Sequence, residues 1–186
     1  MIINIIVAYC KNNGIGKDNA LLWNIKEDMA KFKRLTTGNN NNAIIMGRKT
    51  YESLNNVNGL VNRDNLILSK SLVVNNINNK NIVKTFETLQ ILENFVKSKN
   101  YDEIWIIGGE QIYKLFLTNL INKNTFFKIN NIIITYIEKE FVCDSYFPDL
   151  EDYTKNYNLY FYSKNIIKTK DTNINYNTYD IIYKFL

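Results

Sequence analysis

The chain contains no histidine. That removes imidazole acid–base chemistry, histidine metal ligands and zinc fingers. Its two cysteines, Cys10 and Cys143, stand far apart and outside any Cys-x-x-Cys pair; they read as free thiols in a reducing compartment. There is one proline and there are seven glycines in 186 residues. Neither a Walker loop nor Gly-x-Gly-x-x-Gly is present, since Gly14-Ile-Gly16 lacks the third glycine. The first residues, Met-Ile-Ile-Asn-Ile-Ile-Val-Ala, carry no basic n-region and are too short to span a membrane. They read as a buried first strand, and the protein as cytoplasmic with no membrane partner.

What remains is an ordinary globular composition, 46% hydrophobic and 22% charged, on a chain long enough for one full core. A single domain over residues 1–186 is expected. The net charge of +5 favours anionic ligands, but the lysines are scattered, so nucleic acid is not an expected partner. Asn, Ile, Lys and Tyr are used heavily, and the runs Asn39–Asn42 and Asn75–Asn79 read as polar loop filler. Against that bias each glycine is informative, because a retained glycine serves a backbone need.

Apolar runs at 2–9, 43–46, 66–68, 82–86, 103–107 and 132–138 read as strands. Helical stretches fall at 24–38, 50–54, 87–97 and 110–117, with a long loop from Thr118 to Asn131. The segments 157–163 and 178–185 read as a terminal antiparallel pair. This alternation predicts an α/β fold: a mostly parallel twisted sheet with flanking helices and an antiparallel C-terminal strand pair.

One helix contains an anomaly. Asn24 suits its N-cap, Glu27 can close a capping box, and Gly38 suits the turn past its end. Asp28, Phe32 and Leu35 share one stripe at i, i+4 and i+7, beside Met29, while Lys26, Glu27, Lys31, Lys33 and Arg34 charge the other turns. An acid between Met and Phe is either part of a solvated face or a carboxylate turned to a ligand.

Ligands of open α/β sheets bind at the carboxyl ends of strands. Those ends carry Gly47-Arg48-Lys49-Thr50, then Ser69-Lys70, then Gly108-Gly109 before a helix. Cations, hydroxyls and helix N-termini suit anions, and three such ends suggest a polyphosphate ligand such as a dinucleotide. Each taken singly is also what an ordinary turn or solvated surface would show.

Taken together, Ile-Val-Ala at 6–8, Gly-Ile-Gly-Lys at 14–17, Leu-Leu-Trp at 21–23, Asp28, Phe32, Ile-Met-Gly-Arg-Lys-Thr-Tyr-Glu-Ser at 45–53, Asn-Leu-Ile-Leu-Ser at 65–69, Ile-Ile-Gly-Gly-Glu-Gln-Ile-Tyr at 106–113, Thr135 and Cys-Asp-Ser-Tyr-Phe-Pro at 143–148 resemble the dihydrofolate reductase family. The resemblance implies an oxidoreductase of one-carbon metabolism. It would reduce 7,8-dihydrofolate to 5,6,7,8-tetrahydrofolate with NADPH, bind antifolate inhibitors and act as a monomer.

The resemblance implies catalytic roles for Asp28, Leu22, Trp23 and Thr135. Asp28 would hold the pterin amide and amino group, with Thr135 supporting it. Substrate contacts are implied for Ile6, Val7, Ala8, Met29, Phe32, Lys33, Leu54, Leu60, Arg63, Ile107 and Tyr113. Arg63 would grip the α-carboxylate of the substrate tail, and Lys33 would lie near the other carboxylate. Cofactor contacts are implied for Ala8, Ile15 and Gly16; for Gly47, Arg48, Lys49 and Thr50; for Leu68, Ser69 and Lys70; and for Ile107, Gly108, Gly109, Glu110, Gln111, Ile112 and Tyr113. Arg48, Ser69 and Lys70 would cradle the 2′-phosphate, and Ile15–Leu22 would close over the nicotinamide. The Gly108–Gly109 bond is expected to be cis, and no metal is expected.

The chain departs from the family pattern in places. Leu22 stands where the family usually has proline, Tyr51 replaces a common tryptophan, and Asn55–Arg63 lacks the usual prolines and a glycine before the arginine. Two other readings stay open. Another pterin- or flavin-pathway reductase on the same fold would lack Arg63, and a non-catalytic basic binding protein would lack Asp28 or the Gly-Gly pair.

Overall fold

In a computed structural model, the described residues are 1–78, 81–121, 126–156, 158–169, 171 and 174–185. In chain order the elements are β1 (Ile2–Cys10), β2 (Gly14–Gly16), α1 (Lys26–Thr37), β3 (Ala43–Gly47), α2 (Arg48–Ser53), β4 (Asp64–Leu68), β5 (Asn75–Asn78), β6 (Asn81–Phe86), α3 (Leu89–Lys97), β7 (Glu103–Gly108), α4 (Glu110–Ile121), β8 (Ile129–Ile137), β9 (Ser145–Tyr146), α5 (Glu151–Asn156), β10 (Leu159–Ile166) and β11 (Thr178–Phe185).

Nine strands form one sheet in the order β10-β11-β8-β1-β7-β3-β4-β6-β5. The six from β8 to β6 run parallel, and β11, β10 and β5 run antiparallel to their neighbours. Central strands are apolar on both sides because both faces are covered. Along β1, Ile3, Ile5 and Val7 pack with Leu92, Val96, Phe116 and Leu117 of α3 and α4. Ile6 instead joins Ile44, Met46, Ile67 and Trp105 under Phe32 of α1 and Tyr51 of α2. A third cluster, Cys10, Trp23, Ile25 and Ile137, closes the end where the chain enters α1.

The structure corrects several expectations. The N-cap of α1 is Ile25, not Asn24; its backbone is extended and no side chain caps the helix. Ile25 is fully buried, so packing in the third cluster sets the helix start, and its carbonyl accepts the Met29 N–H at 3.0 Å. The asparagine runs are not only filler. Residues 75–78 form β5, where ladder bonds to β6 make apolar side chains unnecessary on an edge. Asn42 is buried, donating to the Leu35 carbonyl at 3.3 Å and accepting the Glu103 N–H at 3.1 Å. The expected long loop is shorter: α4 runs to Ile121 and β8 begins at Ile129. Its residues 122–125, like residue 79 of the second asparagine run and residue 157 of the expected terminal strand, lie outside the described residues. β2, β9 and α5 had no clear periodic signal.

Candidate active site

A cleft of about 1000 Å³ opens at the carboxyl ends of the central strands, where Ala8 of β1, Gly47 of β3, Leu68 of β4 and Ile107 of β7 face it. Met29, Phe32 and Leu54 form one wall, together with Ile6 and Val7. Asp28 reaches the cleft from the first turn of α1. It is 9% exposed and the one buried acid among the lining residues. It therefore lies in the cleft wall and not on a solvated helix face.

Sheet register surrounds Asp28 with partners. Ala8, Thr135 and Asp180 are aligned across β1, β8 and β11. Thr135 Oγ1 donates to Asp28 Oδ1 at 2.5 Å. Lys31 Nζ donates to Thr135 Oγ1 at 2.7 Å and to Asp180 Oδ1 at 3.0 Å. Burial pushes the Asp28 carboxyl above the usual carboxylate range; Thr135 and Lys31 pull it back, and Asp180 pushes it further up. Tyr113 is buried and donates its hydroxyl to the Ile6 carbonyl at 2.9 Å. Burial and the charge of Asp28 hold that phenol neutral.

The strand ends assemble as the motifs required. Arg48, Lys49 and Thr50 open α2 beside the cleft, and Ser69 and Lys70 follow β4 into it. Ser69 Oγ accepts the backbone N–H groups of Ser71 and Leu72 at 3.2 and 2.9 Å, which leaves its own proton for a ligand. Arg48 Nη1 is held by Glu52 Oε1 at 3.0 Å in an exposed pair. The Gly108–Gly109 bond is cis, and Gly108 has φ of +100°; a β-carbon there would meet the Tyr113 ring at 2.6 Å. Gly109, Glu110, Gln111 and Ile112 line the cleft just after it.

The loop expected to close over the cleft carries Ile15 and Gly16 into the lining. β9 holds it, pairing Gly14 with Tyr146 and Gly16 with Ser145. Asp144 Oδ2 accepts the Asp18 N–H at 2.9 Å, and that bond keeps the Asp144 carboxyl low. Glu110 ties the same strand to α4: it accepts the Tyr146 N–H at 3.1 Å and pairs with Lys114 at 2.5 Å.

Some residues named from the sequence lie outside the lining. Leu22 and Trp23 pack in the third cluster, where Trp23 Nε1 is buried with no hydrogen-bond partner among the described residues. Thr135 and Gly108 stand one layer back. Leu60 packs against the second cluster, and Lys33 is exposed. Arg63 is 4% exposed and engaged by protein groups, donating through Nε to the Val61 carbonyl at 3.1 Å and through Nη1 to Thr36. In the other direction, sequence reasoning passed over Lys31, which it grouped with solvated charges. Its signal was present: it lies three residues after Asp28, on the same helical face. Glu87 and Thr88, at the start of α3, also line the cleft and had gone unnoticed.

This fold and cleft define a class: an α/β protein with an anion-suited floor of strand ends beside an apolar slot holding one buried acid. A family model described as Dihydrofolate reductase matches residues 2–183, and the chain belongs to the dihydrofolate reductase family. It is 35% identical over 185 residues to the dihydrofolate reductase of Buchnera aphidicola subsp. Baizongia pistaciae, covering 99% of each chain. It is 34% identical over 150 residues to that of Haemophilus influenzae, covering 81% of each. Among solved structures, dihydrofolate reductase from Enterococcus faecalis complexed with NADP(H) and RAB-propyl superposes with a TM-score of 0.74 at 20% identity, covering 98% of this chain and 95% of that one, which shows the shared fold. Among the described residues no helix is long and apolar enough to cross a membrane.

Proposed function

We propose that this chain reduces 7,8-dihydrofolate to 5,6,7,8-tetrahydrofolate with NADPH, and that Asp28 is the carboxylate that binds and polarises the pterin. The observation that carries the assignment is the burial of Asp28 in the cleft wall with its Thr135 partner. An acid held there, among Phe32, Met29 and Ile6, faces a ligand with little competition from water. Such an acid can pair with adjacent ring N–H groups and favour the protonated, electrophilic form of the substrate.

The residues present fit the cofactor. Gly47 and Gly109 bring backbone to the cleft where side chains would crowd: a β-carbon on Gly47 would meet Ile112 at 3.0 Å, and one on Gly109 would meet Thr50 at 3.3 Å. Thr50 and the turn after Gly109 would hold the diphosphate, and Arg48, Ser69 and Lys70 the 2′-phosphate. NADPH, when bound, supplies the hydride. Asp28 orients the pterin, Tyr113 seals the slot by bonding the Ile6 carbonyl, and the loop at Ile15 and Gly16 keeps water from the reacting face.

Arg63 and Lys33 are proposed for the carboxylates of the substrate tail, Leu60 for its wall, and Leu22 and Trp23 for the seat of the closing loop. The buried cation of Arg63 is a group that a carboxylate at its edge would satisfy. Antifolates that carry a protonated pyrimidine in place of the pterin would pair with Asp28. A monomer is part of this reading, and the two free thiols support a cytoplasmic setting.

The test is the decrease of absorbance at 340 nm with NADPH and dihydrofolate. The parent consumes NADPH only when dihydrofolate is present, whereas Asp28→Asn, folded by circular dichroism, is slower by about 10²–10⁴ at pH 7. Equal rates would remove Asp28 from the reaction.

A further inference from the structure

We propose that Lys31 is a positioning residue for this reaction: by bridging Asp180 to the Thr135 hydroxyl, it fixes the direction of the Thr135–Asp28 hydrogen bond and holds Asp28 as an ionised acceptor. This rests on the assignment of Asp28 as the pterin-binding acid.

The argument is one of hydrogen-bond polarity. An ammonium group has three donors and no acceptor, and a hydroxyl has one donor and two acceptors. With Lys31 Nζ at 2.7 Å, Thr135 Oγ1 accepts from it, so the one proton of Thr135 is committed to Asp28 Oδ1. Asp28 must then accept, which a carboxylate does with either oxygen. If Lys31 were apolar, Thr135 could instead take a proton from a neutral Asp28, and both directions would compete.

The placement is built rather than incidental. The Lys31 side chain is only 12% exposed, against 29% for its partner Asp180. Nζ is held on two sides, by Asp180 Oδ1 at 3.0 Å and by Thr135. Thr135 and Asp180 are register partners on adjacent strands, so the sheet presents both to the helix as one unit. Asp28 and Lys31 come from a single helix face at i and i+3.

The charged and titratable groups around Asp28 come from every side. Glu27 and Lys31 lie on its own helix, Asp180 on β11, and Tyr113, neutral, on α4, while β8 contributes Thr135 and β1 contributes Ala8. Of these charges, Lys31 favours the carboxylate and Asp180 opposes it. The pair therefore works as a tuned dipole, with its cationic end on the Thr135 hydroxyl.

Two readouts test this on the full chain: the acid limb of kcat/KM for dihydrofolate against pH, and the carbon-13 titration of the Asp28 carboxyl in aspartate-labelled protein. Lys31→Met, and Lys31→Gln as a second neutral variant should Met disturb folding, are expected to move both upward by about 1 pH unit. Lys31→Arg is expected to restore the parent position, and Asp180→Asn to move it downward. An Asp28 titration that stays in place in both neutral variants overturns the proposal, as does an upward movement in Lys31→Arg equal to that of Met. The carboxyl titration reads Lys31 independently of turnover, so full activity of Asp28→Asn would instead fault the assignment of Asp28.

Discussion

At the scale of the residue, Asp28 sets function against stability. Burial raises its carboxyl above the unfolded value. A group shifted that way stabilises the fold most below its unfolded pKa, and that contribution is lost as pH rises through the folded pKa. At neutral pH the buried carboxylate is therefore a net burden on the fold, which its proposed role toward the pterin would account for. Asp28→Asn should melt at a higher temperature than the parent at pH 7, with the gap closing toward pH 4. Its activity deficit should shrink over the same range, because solvent then supplies protons. Differential scanning calorimetry and turnover measured across that range check both. Asp28 stood out in the sequence because an acid broke an apolar stripe. Lys31 did not, because a lysine is unremarkable on a helix until the partner strands that cover it are known.

At the scale of the element, strand ends and a closing loop divide the labour. The 2′-phosphate carries about two negative charges, by analogy with phosphoserine, and Arg48, Lys70 and Ser69, proposed above to hold it, line the same cleft. Two charge-assisted contacts would favour NADPH over NADH by roughly 10²–10⁴. The Glu52 carboxylate already neutralises Arg48 in part, and exposure screens both cations, which points to the lower end. In Arg48→Ala, Lys70→Ala, kcat/KM for NADPH should fall toward that for NADH, with the NADH value nearly unchanged; a parallel fall in both would assign the pair to the diphosphate or the fold. The closing loop depends on Gly14, where a β-carbon would lie 2.2 Å from Cys143 Sγ and 2.7 Å from its Cβ. Rotating the thiol cannot relieve the second contact. Gly14→Ala should therefore part β2 from β9, lose about 1–3 kcal/mol in urea unfolding, and lower kcat/KM; Cys143→Gly in the same chain should recover part of both. In the sequence Gly14 stood only as part of a Gly-Ile-Gly stretch too short for a dinucleotide motif. Its use is the close approach of Cys143, which lies 129 positions along the chain and leaves no local trace.

At the scale of the whole molecule, the cleft joins β1, β3, β4, β7, α1, α4 and the closing loop, so a ligand there braces most of the sheet. NADPH at about 100 times its dissociation constant should add about 2.7 kcal/mol, which for a chain of this size raises Tm by roughly 5–10 °C. NADH at the same concentration should raise it less. Thermal shift assays with both nucleotides, in the parent and in the Arg48, Lys70 double variant, check the difference.

Local chemistry in the sequence determined the alternation of strands and helices, the parallel sheet and the anion-suited strand ends, since each depends on periodicity or charge within a few residues; it marked Asp28 as an anomaly, and tertiary packing buried it. Most helix and strand positions followed, because apolar runs bury themselves wherever they occur. Tertiary structure decided the rest. It moved the start of α1 to Ile25 by burying that side chain, made β5 from an asparagine run by giving its backbone a neighbour, turned Arg63 toward Thr36, and placed Lys31 between Thr135 and Asp180. Each of these depends on groups brought together across the sheet from distant parts of the chain, where the low-dielectric interior gives a hydrogen bond or charge an importance it lacks on an open helix.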